Sequence, residues 1–383
     1  MIADALTVAL DSLVDRFAAG DDDAGNTIWL ELFHSAVRAD ELAVQLMGEI
    51  VARLGSSPPL AAAQLALLGG ALVENDVDGA DLATALRAPL IASMRLASAF
   101  IDRVQARVDA DNNADNNAAA ADNEADEDGE VDDVVGIVHP LVMAEFAAAD
   151  PEGHAACASL NTWFRPVVAC WSRIDGAIKT VRADDELMEL LTTLEHRTLT
   201  SWMATLAFAL QRDPFVVIVP ELQEGWSLRV DGVVDVGQLS VLLSAALSDT
   251  MGRLGLDVAT DEAVATMQGE GPQQSNTSFA CALHLWPWQA FDVVTGMPAK
   301  DRYTWCAPGG SGSHSLPSDY RPGELTAIGG VRVLFLTGKG GDVSFTRNLP
   351  VTRSFSSLPA EITGVRRLSA DELSSWLSII SRA

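Results

Sequence analysis

His284, Trp286 and Trp288, in the stretch HLWPWQ, stand two residues apart, so in an extended segment an imidazole and two indoles share one face. Pro287 lies among them, and a residue with no amide donor belongs at a sheet edge or a bulge. Downstream, WCAPGGSGSHSLPSDYRPGE is a long polar glycine-serine loop that carries Trp305, Ser311, Ser313 and His314. An aromatic edge strand beside such a loop makes a groove for a ligand or an extended peptide. The candidate binding residues are therefore His284, Trp286, Trp288, Trp305 and His314. The competing use of the same residues is structural, a core histidine between two packing tryptophans beside an ordinary surface loop.

Four residues in this region have the types needed for zinc: Cys281, His284, Cys306 and His314, spaced C-x2-H and C-x7-H. If FACALHLWPW is one strand, Cys281 and His284 point to opposite faces, and no glycine supplies the tight turn a knuckle needs. No metal and no cofactor are expected. Nucleophilic pairs are also unanchored, because Ser311 or Ser313 beside His314 lacks the strand-turn-helix frame of a nucleophile elbow. Cys306 with His284 or His314 is a second pairing of the same kind.

Near the C-terminus, LFLTGKGGDVSFTR runs from apolar residues into Gly338, Lys339, Gly340 and Gly341. A phosphate-cradling loop needs Ser or Thr after its lysine and then a helix. Here Gly340 follows Lys339, and residues 343–347 alternate like a strand. The reading is a β-hairpin closed by Thr337 to Asp342. Calcium fails for want of ligands: Glu124, Asp126, Asp128 and Gly129 mimic half of an EF-hand loop, but Val135 occupies the twelfth position, and Glu74, Asp76, Asp78 and Gly79 repeat the near-miss with Ala85 there.

Residues 1–109 carry helical periodicity, with Leu6, Leu10, Leu13 and Phe17 forming one stripe and Leu42, Leu46, Ile50 and Leu54 another. They predict an all-helical module of four or five helices. Residues 110–133 hold ten acids and no base, which predicts a disordered acidic linker. Helical signals return over 134–211, with Trp163, Trp171 and Trp202 as core residues, and Asp184 to Glu186 start one of these helices. From 213 the period changes. PFVVIVPE, WSLRVDGVV, FACALHLWPW and VRVLFL read as strands, QLSVLLSAALSD as a helix, and Ser369 with Glu372 as the capping box of a last helix. The fold class is α+β: a helical module, an acidic linker, then residues 134–383 as helices (134–211) packed on a mixed, mainly antiparallel sheet (213–383).

The chain has 383 residues and a formal net charge of −28. Residues 1–133 contain 26 acids and 7 bases, whereas residues 320–383 contain 5 acids and 8 bases. A field of that sign repels phosphate backbones and anionic headgroups, so nucleic acid and membrane surfaces are not expected partners. Its longest apolar run, LAAAQLALLGGALV, is too short to span a bilayer. Four cysteines make no disulfide framework, and the N-terminus shows no export signal, so a cytoplasmic location is expected. The layout predicts a non-enzymatic interaction or adaptor protein that binds protein partners through two modules on an acidic tether, of a regulatory or defence type by analogy of layout alone. The alternative is a hydrolase-type enzyme, zinc-dependent or not, built on His284, Cys306 and His314.

Overall fold

A computed structural model of the chain describes residues 2–120, 140–195, 200–269, 277–281, 283–290, 316, 320–338, 343–347 and 358–383. They divide into two compact units, Met1–Ala204 and Thr205–Ala383.

The first unit is helical: α1 (Ile2–Ala18), α2 (Asp22–Ala36), α3 (Asp40–Leu54), α4 (Pro59–Glu74), α5 (Ala80–Ala120), α6 (Pro140–Ala149), α7 (Pro151–Arg173), α8 (Ala177–Arg182) and α9 (Asp185–Leu194), followed by α10 (Thr200–Ala207) at the boundary. Aspartates start several of them. Asp150 accepts from Gly153 N at 2.9 Å to begin α7, and Asp184 accepts from Leu187 N at 3.3 Å to begin α9. The run LAAAQLALLGGALV forms α4, which is apolar all round and so must be covered on every side. Helices α1, α2 and α3 supply part of that cover, and α5 and α7 supply the rest.

This need for cover redraws the expected boundaries. Helix α7 belongs with the N-terminal helices because its stripe of Trp163, Val167, Cys170 and Trp171, all buried, lies in this unit. Residues 140–204 are therefore part of the helical unit and not helices of the sheet domain. The acidic stretch connects α5 to α6 inside one unit and does not join two. Its first part, to Ala120, continues α5: alanines are strong helix formers, and extending a packed helix needs no new nucleus. Residues 121–139 lie outside the described residues. Trp163 and Trp171 are core residues as expected, and the Trp163 indole N–H finds no acceptor among the described residues; the side chain of Trp202 is outside the described set.

The second unit holds a six-stranded sheet in the order β4-β6-β1-β2-β8, with β5 also on β6, and a separate two-stranded ribbon of β3 and β7. Its strands are β1 (Asp213–Val219), β2 (Glu224–Asp231), β3 (Thr277–Cys281), β4 (His284–Pro287), β5 (Ala327–Ile328), β6 (Val331–Thr337), β7 (Val343–Arg347) and β8 (Glu361–Arg367). Helices α11 (Val236–Ala246), α12 (Ser248–Leu254) and α13 (Asp261–Gln268) lie between β2 and β3 in sequence, and α14 (Ala370–Ile380) ends the chain. Strands β1 and β6 run parallel and the other pairings are antiparallel. Phe215, Val217 and Val219 share a core with Leu239 and Leu243 of α11 and Met251 of α12. Val216 and Ile218 share a second core, on the opposite face, with Leu373, Leu377 and Ile380 of α14. The α14 capping box of Ser369 and Glu372 forms as the sequence indicates.

Two strand expectations are corrected. The expected hairpin across Thr337 to Asp342 does not form: β6 has β1 along one edge and β4 and β5 along the other, so no edge is left for β7, which pairs with β3 instead. The segment FACALHLWPW is two strands in two sheets, so the opposed-face argument for Cys281 and His284 does not apply to one strand. A hairpin does occur between β5 and β6, where Gly329 and Gly330 take φ of 58° and 82° and close a two-residue turn of the primed type.

Helix α4 approaches α7 so closely that a Cβ on Gly70 would lie 2.6 Å from Pro166 Cα. Gly70→Ala is expected to lower the unfolding free energy by about 1–3 kcal/mol, since backbone cannot yield as a flexible side chain does. Gly48→Ala in α3, where a Cβ meets nothing within 4 Å, is expected to raise it by about 0.5–1 kcal/mol. Urea unfolding followed by far-ultraviolet circular dichroism measures both.

Candidate functional site

In an open sheet with parallel strands, ligands bind beyond the strands' carboxyl ends. For β1 and β6 that end carries Val219 and Thr337, and the register brings further side chains to the same end. Glu224 of β2 is opposite Val219, His284 of β4 is opposite Thr337, and Arg367 of β8 is opposite Trp226. Two neighbourhoods result, one around His284, which faces the α14 side of the sheet, and one around Glu224, which faces the α11 and α12 side.

The first is the one the sequence indicates. Strand β4 lies at the sheet edge among the described residues, as Pro287 requires. Leu285 points into the core beneath α11, while Trp286 and Trp288 pack against the core beneath α14. His284, Trp286 and Trp288 are each half-buried. The indole of Trp286 donates from Nε1 to Thr337 Oγ1 at 3.2 Å, and that of Trp288 donates from Nε1 to the Thr326 carbonyl at 3.2 Å. Both N–H groups are thus satisfied inside the fold, and the rings remain partly open to solvent. Trp305, Cys306 and His314 lie outside the described residues, as does the side chain of Cys281. The zinc set and the Ser-His and Cys-His pairs are therefore represented only by His284. Among the described residues no group of three His, Cys, Asp or Glu is placed to hold a metal ion. Asp78, from the calcium near-miss, instead accepts from Ala80 N at 3.0 Å at the start of α5.

The second neighbourhood was not singled out by sequence. Glu224, only 7% exposed, accepts from Arg253 of α12, with Nη1 to Oε1 at 2.6 Å, and from Arg367 of β8. The Arg253 hydrogen bond holds its carboxyl below the usual glutamate range against the opposing effect of burial, and Arg367 adds to the shift. Beside it the α14 N-terminus begins, and Arg366 clamps Glu372 with two hydrogen bonds of 2.9 Å. That clamp, helped by the Ser369 amide, lowers the Glu372 carboxyl to about 2. Glu224, Arg366, Arg367, Ser369 and Glu372 line a cavity of about 450 Å³ together with Gln223 and Leu368. Its charged groups are all paired, although two carboxylates hold three guanidinium groups and leave one positive charge in excess. The sequence signal was RR followed by a capping box, which marks the helix start without revealing that Glu224, more than a hundred residues earlier, would meet it.

Neither described cysteine is a nucleophile in waiting. Burial pushes the Cys170 thiol up to about 12 and raises that of Cys157, and both remain free thiols. Comparison with family models, curated proteins and solved structures finds no match to this chain.

Glu224→Gln is expected to destabilise the second unit by about 1–3 kcal/mol, less than for a fully buried pair because Arg253 and Arg367 are half-exposed and can rehydrate. Glu224 and Glu372 both have lowered folded-state values, so their stabilisation is complete above the ordinary glutamate value of 4.5 and is lost as pH falls from there, for Glu372 down to about 2. Thermal melts across that window should show the loss, and Glu372→Gln should remove part of the slope.

Proposed function

We propose that the chain is an interaction protein and not an enzyme, and that its sheet unit captures an extended peptide along the β4 edge. The observation that carries this reading is the row of His284 and Trp286 on β4 with Trp288 in the 3-10 turn just past its end, all half-buried, on a strand that pairs with one other strand among the described residues and whose Leu285 carbonyl accepts from Leu316 N at 2.8 Å. An edge strand offers main-chain hydrogen bonds to an added strand, and pockets beside alternate side chains set its sequence. Partly open indoles suit such a role because they bury a large area with few rotatable bonds. The two compact units provide separate surfaces for protein partners, with the acidic stretch as an insertion in the helical unit and not a tether between units. A cytoplasmic location belongs to the same proposal, supported by the free thiols of Cys157 and Cys170. Among the described residues no helix is long and apolar enough to cross a membrane. The net charge of −28 supports partners other than nucleic acid.

A random peptide library displayed against the full chain should enrich binders whose affinity falls about tenfold or more in Trp288→Leu, which keeps an apolar contact with the core and removes the indole. His284→Ala should weaken them as well. Melting temperatures of both variants should stay close to that of the parent. Peptides that bind both variants as tightly as the parent, or a library that yields no binder, would remove β4 as the docking edge.

A further inference from the structure

Within the helical unit, a cleft of about 380 Å³ opens between α5, the end of α7, α8 and the start of α9. That volume falls in the range of small-molecule pockets, about 300–1,000 Å³. It is open because small residues meet there: Ala80 and Ala83 on α5, Gly176 and Ala177 at the start of α8. Leu86, Leu90, Trp171, Val181 and Leu187, all buried, form its apolar base. Elsewhere in this unit the helices close until Gly69 and Gly70 have no room for a Cβ, so the cleft departs from the local packing density.

Its polar groups are few. Thr84 and Thr180 donate their hydroxyls to Ala80 and Gly176 carbonyls of their own helices at 3.1 Å. Asp184 uses one oxygen to cap α9 and the other to accept from Arg87 Nε. Arg87 is 54% exposed at the rim, and neither of its Nη groups has a partner among the described residues. Asp175 also lines the cleft and opposes an anion, but Arg87 offers two donors on a fixed plane, which is the geometry a carboxylate takes up. We propose that this cleft binds a small amphipathic carboxylate, with its apolar body over Leu86, Leu90 and Trp171 and its carboxylate on the Nη edge of Arg87.

The probe is 2-naphthoate, titrated calorimetrically into the full chain at physiological salt, with uncharged 2-naphthamide in parallel. One-to-one saturable binding of naphthoate is expected, about tenfold tighter than that of the amide, with the difference lost in Arg87→Gln. Ala177→Phe, which fills the cleft from a half-buried position, should weaken naphthoate about tenfold or more; Ala83→Leu serves the same purpose should that variant not fold. Absence of saturable binding, or naphthoate affinity unchanged in the filled variants, would overturn the site. Equal affinity for the amide and the carboxylate would overturn the role of Arg87. None of these outcomes depends on β4, so they stand or fall apart from the peptide-binding reading.

Discussion

Strand β1 reads PFVVIV, and from Phe215 to Val219 every residue is buried whichever face it points to. A strand apolar on both faces cannot lie on a sheet with one side in water. The second unit is therefore obliged to cover both faces, and it does so with α11, α12 and α13 on one and α14 on the other. The same property suits the neighbour: among the described residues β6, buried from Val333 to Thr337, has comparable apolar length, and it lies parallel to β1. A parallel central pair gives the sheet a common carboxyl end, and β2 and β4, being antiparallel to these strands, both begin there. Glu224 and His284 are brought to one end of the sheet by that topology and kept apart by the strand alternation that sends them to opposite faces.

Charge is organised under a comparable restriction. With 25 basic residues against 53 acidic ones, each arginine has a choice of carboxylates, and in several places it is committed to one that joins distant parts of a unit. Arg87, Arg95 and Arg103, eight residues apart along α5, pair with Asp184, Glu186 and Asp150 at the starts of α9 and α7. All three arginines are about half-exposed, so each pair contributes little stability and mainly fixes register. Arg332 differs, because it and Asp213 are both 11% exposed; it donates to Asp213 Oδ1 at 2.6 Å and to the Gly323 carbonyl at 2.9 Å. Gly323 itself has no room for a side chain, since a Cβ would fall 1.9 Å from the Phe208 carbonyl oxygen. That pair ties the amino ends of β1 and β6 to the loop beside Phe208, as Glu224 ties their carboxyl ends to α12 and β8.

Local signals in the sequence transferred well where a local rule decides the outcome. The stripes of α1 and α3, the aspartate starting α9, the capping box of α14 and the apolar strands β1 and β6 all follow from spacing within a dozen residues. What was not legible depends on partners far away in sequence. Whether 343–347 folds back on β6 is decided by β4 and β5 having filled that edge. Whether α7 joins the helical unit is decided by α4, whose apolar surface on every side needs cover that α1, α2 and α3 do not complete. The IGGV turn between β5 and β6 was readable, since two glycines between apolar residues are a strong hairpin signal, but the β5 strand of two residues is too short to show a period. Of the candidate residues, His284 and Trp286 lie on an edge strand as the spacing indicates, whereas Trp288 falls in a 3-10 turn just past it, and the acceptors of the two indoles, Thr337 and the Thr326 carbonyl, lie 51 and 38 residues further on.

An exposed sheet edge invites unwanted pairing, and the two ends of this sheet are guarded differently. Strand β8 is irregular: its register against β2 shifts between Ser227 and Arg229, Gly364 takes a φ of 61°, and Arg366 and Arg367 are tied down by Glu372 and Glu224. A bulged, charged edge is a poor template for another strand. Among the described residues, strand β4 is guarded by its length of four residues, by Pro287 and by Leu316, whose N–H donates to the Leu285 carbonyl at 2.8 Å. A partner there would gain few main-chain hydrogen bonds, so most of its affinity would have to come from the open faces of Trp286 and Trp288. Because both rings are already held by internal hydrogen bonds, binding would cost little ordering of the protein, and preorganisation of that kind favours association without adding contacts. Between the two edges, the one with the weaker guard is also the one with the rigid aromatic surface.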